Sequence, residues 1–315
     1  MEPVKVSVVC TVFNHGKFLR DALEGFVNQK TDFRFEVLVH DDASTDDSRD
    51  IIREYEEKYP EIIKPIYQTE NQYSQGRIIE ELVIPHIKGE YVAICEGDDF
   101  WIDEGKLQKQ VSFLDSHRDY SLVACSSKTL NCITGEYEER FVINEDREIS
   151  LEELVTEENG RLFQTASVMM KNNVYTARKA WQSLFPYGDR PMWMHAALEG
   201  RVYMLSDVMT VYRFATAGSW TRKNIRDYEK GAMNCRRTIK GFEAFDADTD
   251  FEYHDMVVKA LEVVDYDLAR NEHNWSIIRE KHFDRFSKLP AKDKISVKMH
   301  TKYYPLYKTL RKLLG

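Results

Sequence analysis

No CxxC pair, no glycine-rich phosphate loop, no long apolar run and no excess of positive charge occur in these 315 residues. Each absence removes a class of protein. The five cysteines (Cys10, Cys95, Cys125, Cys132 and Cys235) are an odd number without metal-ligand spacing, so neither a disulfide framework nor a zinc site is indicated and a reducing cytoplasm is expected. No window approaches the ~18 apolar residues of a membrane span, and the N-terminus has no basic stretch followed by an apolar core, so neither a spanning helix nor an export signal is expected. A net charge of -9 argues against a general nucleic-acid binder. The first strand is followed by Thr11-Val12-Phe13-Asn14-His15-Gly16, with a single glycine, which argues against a GxGxxG dinucleotide enzyme.

What is present is a core-forming composition, 43% hydrophobic and 31% charged, enough for one large domain or two modest ones. Val4 to Val12 is β-branched and apolar, as a strand buried on both faces should be. The period then changes: Phe18, Leu19, Ala22, Leu23, Phe26 and Val27 predict an amphipathic helix over about 16–29. Strands follow at 35–39, 64–68, 91–95 and 122–125, with a helix after the second that Ser44 or Thr45 could cap, and another helix carrying Leu107, Val111 and Leu114. This alternation predicts an α/β fold with a mostly parallel sheet covered on both faces. Residues 131–160 are acidic and polar and read as a solvated helix or surface loop. Apolar character returns at 166–170 and 202–211, and from Thr221 onward the pattern is helical.

The last segment reverses the acidic trend. Between 292 and 315, Lys292, Lys294, Lys298, Lys302, Lys308, Arg311 and Lys312 stand against Asp293 alone, among Tyr303, Tyr304, Leu306, Tyr307, Leu310, Leu313 and Leu314. Such a tail suits an anionic membrane surface or a helix docked on its own protein, with Pro305 interrupting any continuous helix.

Three strand ends carry polar chemistry: Thr11 to Asn14, Asp41-Asp42, and Asp98-Asp99 in Cys95-Glu96-Gly97-Asp98-Asp99-Phe100-Trp101. In open α/β sheets, ligands bind at the carboxyl ends of the strands. Paired carboxylates there can hold Mg²⁺ or Mn²⁺ against phosphate oxygens, or form a solvated turn. Phe13 is a core residue or a platform for a base, and Asp42 can accept a hydrogen bond from a ring N–H.

The blocks VSVVCTVFNHGKFL, EVLVHDDASTDDS, CEGDDFWIDEGKLQKQVSFL, YGDRPMW and VMTVYRFATAGSW, in this order over about residues 4–220, resemble glycosyltransferase family 2. The resemblance implies an A-type glycosyltransferase fold with a Rossmann-like central sheet flanked by helices, a catalytic region over 1–220 and a helical C-terminal extension over 221–315. It implies a nucleotide-sugar donor, most simply a UDP-sugar, a divalent metal, and transfer with inversion to a glycan or lipid-linked glycan acceptor in cell-surface polysaccharide synthesis. By motif position, Thr11, Phe13 and Asp42 would hold the uridine, Asp98 the ribose or metal, and Asp99 the metal. Asp189 matches the catalytic base; on its own it also reads as an N-cap ahead of Pro191. Arg213 matches a loop over the donor diphosphate together with Ser219-Trp220, and could fork onto phosphate oxygens. One departure is Ala215, where many relatives carry histidine.

Other residues keep two readings. Lys17 and Arg77 are donor contacts or solvated charges. Trp101 and Trp193 stack on a sugar or fill the core, and His195 belongs to a helix surface or core. A sugar nucleotidyltransferase, and a degenerate transferase that binds without turnover, are the competing functions. With the basic tail, the expected place is the cytoplasm or the inner membrane face.

Overall fold

A computed structural model of the chain describes residues 2–157, 162–216 and 227–304, with Glu80 by its backbone only. Glu158, Ser219, Trp220 and the tail beyond Tyr304 lie outside the described residues. The chain divides into two compact units, Met1–Arg178 with Asp189–Ser219, and Lys179–Gly188 with Trp220–Gly315.

The first unit is an α/β sheet. β1 (Val4–Val12), β2 (Arg34–Asp41), β3 (Ile63–Tyr67), β4 (Tyr91–Ile94), β6 (Tyr120–Asn131) and β10 (Arg201–Phe214) are the main strands. Four short ones are added: β5 (Phe100–Trp101), β7 (Tyr137–Phe141), β8 (Arg147–Ile149) and β9 (Met169–Lys171). The order is β3-β2-β1-β4-β9-β6-β10-β5, with β7 on β6 and β8 on β10. β1 pairs in parallel with β2 and β4, β2 with β3, and β6 with β10; β9 is antiparallel between β4 and β6. β1 and β4 are buried on both faces because helices cover the sheet, which is why their sequences are apolar without alternation.

The helix after β1, α1 (Leu19–Val27), starts later than the 16–29 periodicity suggested. The preceding turn is held instead by the carbonyl of His15, which accepts from the amides of Phe18 and Leu19. Leu19, Ala22, Leu23 and Phe26 bury its apolar stripe, and Phe26 meets Trp101 edge-on at 4.7 Å. Truncating such a buried leucine to alanine costs ~2–5 kcal/mol, so this stripe helps fix α1 to the sheet.

Two local expectations are corrected. Neither Ser44 nor Thr45 caps α2 (Ser48–Lys58); Asp46 Oδ1 accepts from the Ser48 amide, while Ser44 and Thr45 bond to Asn14. The stretch 131–160 is not only loop and helix: β7 and β8 lie in it, ahead of α3 (Leu151–Thr156) with its Ser150–Glu153 capping box. Four of the five β7 residues are exposed, so its chemistry is polar and no buried alternation marks it.

The second unit is helical in its described part, from Tyr228–Asp248 and His254–Asn271 to Ala291–Thr301. Trp181 meets Phe245 edge-on at 5.1 Å and Phe185 meets Phe242 at 5.2 Å. A Cβ at Gly241 would come within 2.4 Å of the Phe185 ring, so only glycine allows this approach. Tyr266, Ala269, Ile278, Phe286 and Val297 form its other core. No described helix is long and apolar enough to cross a membrane.

Candidate active site

The order β2-β1-β4 brings the three polar strand ends together. Backbone bonds continue the pairing past the strands: the Asp42 amide donates to Val12 O at 2.9 Å, and the Gly97 amide to Thr11 O at 2.9 Å. Thr11, Phe13, Asp42 and Asp98 therefore occupy one edge. Asn14, at a φ of 58°, bridges β1 to the β2 loop: its amide donates to Ser44 Oγ at 3.0 Å and its Oδ1 accepts from the Thr45 amide at 2.7 Å. Left-handed backbone is tolerated at asparagine because its short amide can bond locally.

Phe13 is 41% exposed at the end of β1, unusual for phenylalanine and fitting for a stacking platform. Asp42 is buried, with one carboxylate oxygen taking the Gln72 amide at 2.7 Å and the other the Tyr73 amide at 3.1 Å. Each oxygen retains acceptor capacity, so the amides orient the group without exhausting it. Its neighbour Asp41 is structural: Arg49 forks onto Asp41 Oδ2 at 2.9 and 2.7 Å beneath the edge.

The two acidic residues after β4 differ. Asp98 is partly exposed, and its Oδ2 accepts from Thr216 Oγ1 at 3.0 Å. Asp99 is buried, and its Oδ1 accepts from the Arg213 amide at 2.8 Å. Burial, with Asp98 and Glu96 adding like charge, pushes the Asp99 carboxyl well above the ordinary carboxylate range. The antiparallel register of β5 on β10, Phe100 opposite Val211 and Trp101 opposite Thr210, brings Arg213 beside this pair.

Arg213 is tied to its surroundings by its side chain as well as by its amide. Its guanidinium is buried, donates to Asp98 O at 2.9 Å and pairs with Asp21, and lies over the Phe100 and Phe18 rings at 4.3 and 5.2 Å. Asp21 and Thr216 were not singled out from sequence; the signal for Asp21 was an acidic residue in the first turn of α1. Ala215 is buried at a φ of 61°.

Asp189 opens α4 (Asp189–Glu199), and its Oδ1 accepts from the Arg190 amide at 2.8 Å, so it serves the helix terminus. Arg190 in turn donates to Leu154 O at 2.9 Å and to Val155 O, tying α4 to the end of α3. Trp101 and Trp193 are core: Trp101 Nε1 donates to Ala166 O at 2.9 Å, and Trp193 packs on Phe163. His195 is fully buried, and Lys17 and Arg77 are exposed.

The profile of glycosyl transferase family 2 matches residues 7–174, more than half of the chain and all three strand ends. The chain belongs to this family. An uncharacterized protein of Mycobacterium tuberculosis, Rv1520, is 32% identical over 219 residues, 68% of this chain; the chain spans about 60% of that relative's length. Among solved structures, S. aureus TarS 1–349 in complex with UDP-GlcNAc aligns with a TM-score of 0.60 at 17% identity, covering 95% of this chain and 82% of TarS 1–349. The mannosyltransferase PcManGT of Pyrobaculum calidifontis, in complex with GDP-Man and Mn²⁺, aligns with a TM-score of 0.58 at 16% identity, covering 98% and 83%. The fold is thus that of the A-type glycosyltransferases, as the family-2 resemblance implied.

A divalent cation suits the donor set. Glu96, Asp98 and Asp99 gather carboxyl groups at one strand end, and burial together with the like charges of Asp98 and Glu96 disfavours the ionised form of Asp99. Among the described residues no group of three His, Cys, Asp or Glu side chains is gathered to enclose an ion. Mg²⁺-like ions are ordinarily held by one or two carboxylates plus substrate phosphates, which is what Asp98 and Asp99 could offer.

Proposed function

We propose that this chain is a metal-dependent, inverting glycosyltransferase that takes a nucleotide-sugar donor, most simply a UDP-sugar. The observation carrying this is the single edge on which exposed Phe13, oriented Asp42 and accessible Asp98 meet. Phe13 stacks on the base, Asp42 accepts a ring N–H, and Thr11 borders the nucleoside. Asp98 and Asp99 would hold Mn²⁺ or Mg²⁺, which would supply positive charge against that developing on the departing diphosphate. Asp189 takes the proton from the acceptor hydroxyl on the face opposite the leaving group, while its Oδ1 receives the Arg190 amide. Arg213 fixes the β4 end from below through the Asp98 carbonyl.

The acceptor we favour is a glycan or lipid-linked glycan of cell-surface polysaccharide synthesis, reached by a catalytic region over 1–220 and a helical region over 221–315. The basic tail would bring the protein to the inner membrane face, with the cytoplasm as its compartment. Calorimetric titration with UDP and with GDP, each with Mn²⁺ and after chelation, tests the donor site. UDP binding that requires Mn²⁺ supports it. Binding of GDP alone would move the donor class, and binding of neither would overturn the reading. Binding without transfer or donor hydrolysis would mark a degenerate transferase.

A further inference from the structure

His15 lies one residue beyond Asn14 in the β1 loop, and its imidazole is set between an apolar wall and the Asp98 carboxylate. On the inner side, Nδ1 is buried with no hydrogen-bond partner among the described residues. What surrounds it is visible at Gly97, where a Cβ would come within 2.9 Å of both His15 Nδ1 and Val12 Cγ2, and 3.2 Å of Leu19 Cδ1. On the outer side, Nε2 stands 4.0 Å from Asp98 Oδ1, with both side chains partly exposed. That separation exceeds a hydrogen bond, so Asp98 does not consume Nε2.

Chemistry then selects the tautomer. A buried N–H without an acceptor is rarer and more costly than a bare acceptor lone pair, so Nε2 and not Nδ1 is the nitrogen placed to donate to a ligand. His15 thus offers one N–H, pointed to the side of Asp98.

The backbone holds this orientation. The His15 amide donates to Ser48 Oγ at 2.9 Å, the Gly16 amide donates to Asp46 Oδ2 at 2.9 Å, and the His15 carbonyl takes the Phe18 and Leu19 amides. Ala215, in the turn after β10, brings only a methyl group, so no imidazole comes from that segment.

We propose that His15 is a phosphate-binding residue whose Nε2–H donates to a diphosphate oxygen of the nucleotide-sugar donor. This rests on the nucleotide-sugar reading above. An acceptor oxygen beside Asp98 is what a cation-bound diphosphate supplies, and Nε2–H is a ready partner for it.

The experiment compares UDP with uridine, in the presence of Mn²⁺, on the full chain carrying His15→Phe or His15→Gln. Phenylalanine keeps the apolar contacts and loses the donor; glutamine restores an N–H. We expect His15→Phe to weaken UDP roughly ten- to a hundredfold while uridine affinity holds, with His15→Gln recovering most of the loss. Equal weakening of UDP and uridine would mean a merely structural role and overturn the proposal, as would no change in either. Long-range ¹H–¹⁵N spectra of histidine-labelled protein, with the His15 signals assigned by their loss in His15→Phe, provide a second readout. The Nε2–H tautomer supports the proposal and the Nδ1–H tautomer overturns it. Failure of the unaltered chain to bind UDP with Mn²⁺ would instead sink the donor reading on which it rests.

Discussion

The amide of Arg213 donates to Asp99 Oδ1 at 2.8 Å across 114 positions of sequence. The same residue's guanidinium reaches Asp98 O and Asp21, so one arginine fixes both the main chain and a carboxylate at the end of β4. The β5–β10 register makes this contact, and the rings of Phe100 and Phe18 cover the cation.

Arg213→Met removes the bond to Asp98 O and the ring contacts, leaving Asp21, which is 59% exposed at its side chain, to be solvated by water. The expected loss is ~1–3 kcal/mol. Asp21→Asn keeps an oxygen acceptor for the guanidinium and is expected to cost less. Urea unfolding of the two variants checks the order; equal losses would mean that the ion pair, and not the bond to Asp98, carries the anchor.

Asp189→Asn keeps an oxygen to receive the Arg190 amide but cannot take a proton at neutral pH. Transfer should fall by ~10²–10⁴ while UDP affinity and thermal stability stay near those of the unaltered chain. Stability lost together with activity would place Asp189 in a helix-terminus role alone. Single-turnover transfer and calorimetry on the same preparation separate the two.

The strand ends were legible because apolar runs that stop at acidic residues mark buried strands reaching a sheet edge, and the order of those strands put Asn14, Asp42 and Asp98 together. The Arg213 contact was not legible. It depends on which residue of β10 faces Phe100, a tertiary register that no local pattern records. The same limit explains Ser44 and Thr45, whose capping chemistry is taken by Asn14 from another loop. β7 escaped because an exposed strand lacks the alternation that reveals a half-buried one.

Phe13→Ala should weaken UDP binding without altering the fold, because the ring is 41% exposed and little of the core depends on it. Stacking of a base on an aromatic ring is worth ~1–3 kcal/mol, so affinity should drop roughly five- to a hundredfold. Phe13→Trp should retain most of it. Calorimetry with UDP distinguishes this from a packing role, in which Tm falls and affinity does not.

Lys106 gives the pH dependence of stability. Its ammonium is fully buried, donates to Gln110 Oε1 at 2.8 Å and lies 4.1 Å from the Trp101 ring centroid. Burial lowers its pKa from 10.5 to about 8, against the opposing pull of Cys125, Cys95 and Asp103. Between those values the unfolded chain carries a proton that the folded chain has shed, so this group makes stability rise with pH. The gain is fully present above 10.5 and is lost as pH falls to about 8, with an upper limit of roughly 3 kcal/mol for the shift. Raised tyrosines such as Tyr55, held at about 12, push the other way above their ordinary value of 10.0, and the difference between two chains that share them isolates Lys106. Lys106→Met lacks it. The stability of the unaltered chain relative to Lys106→Met should therefore grow between pH 8 and pH 10, measured by urea unfolding at each pH. A difference that stays flat across this window would mean that the Lys106 amine is not held at a lowered pKa in the folded protein.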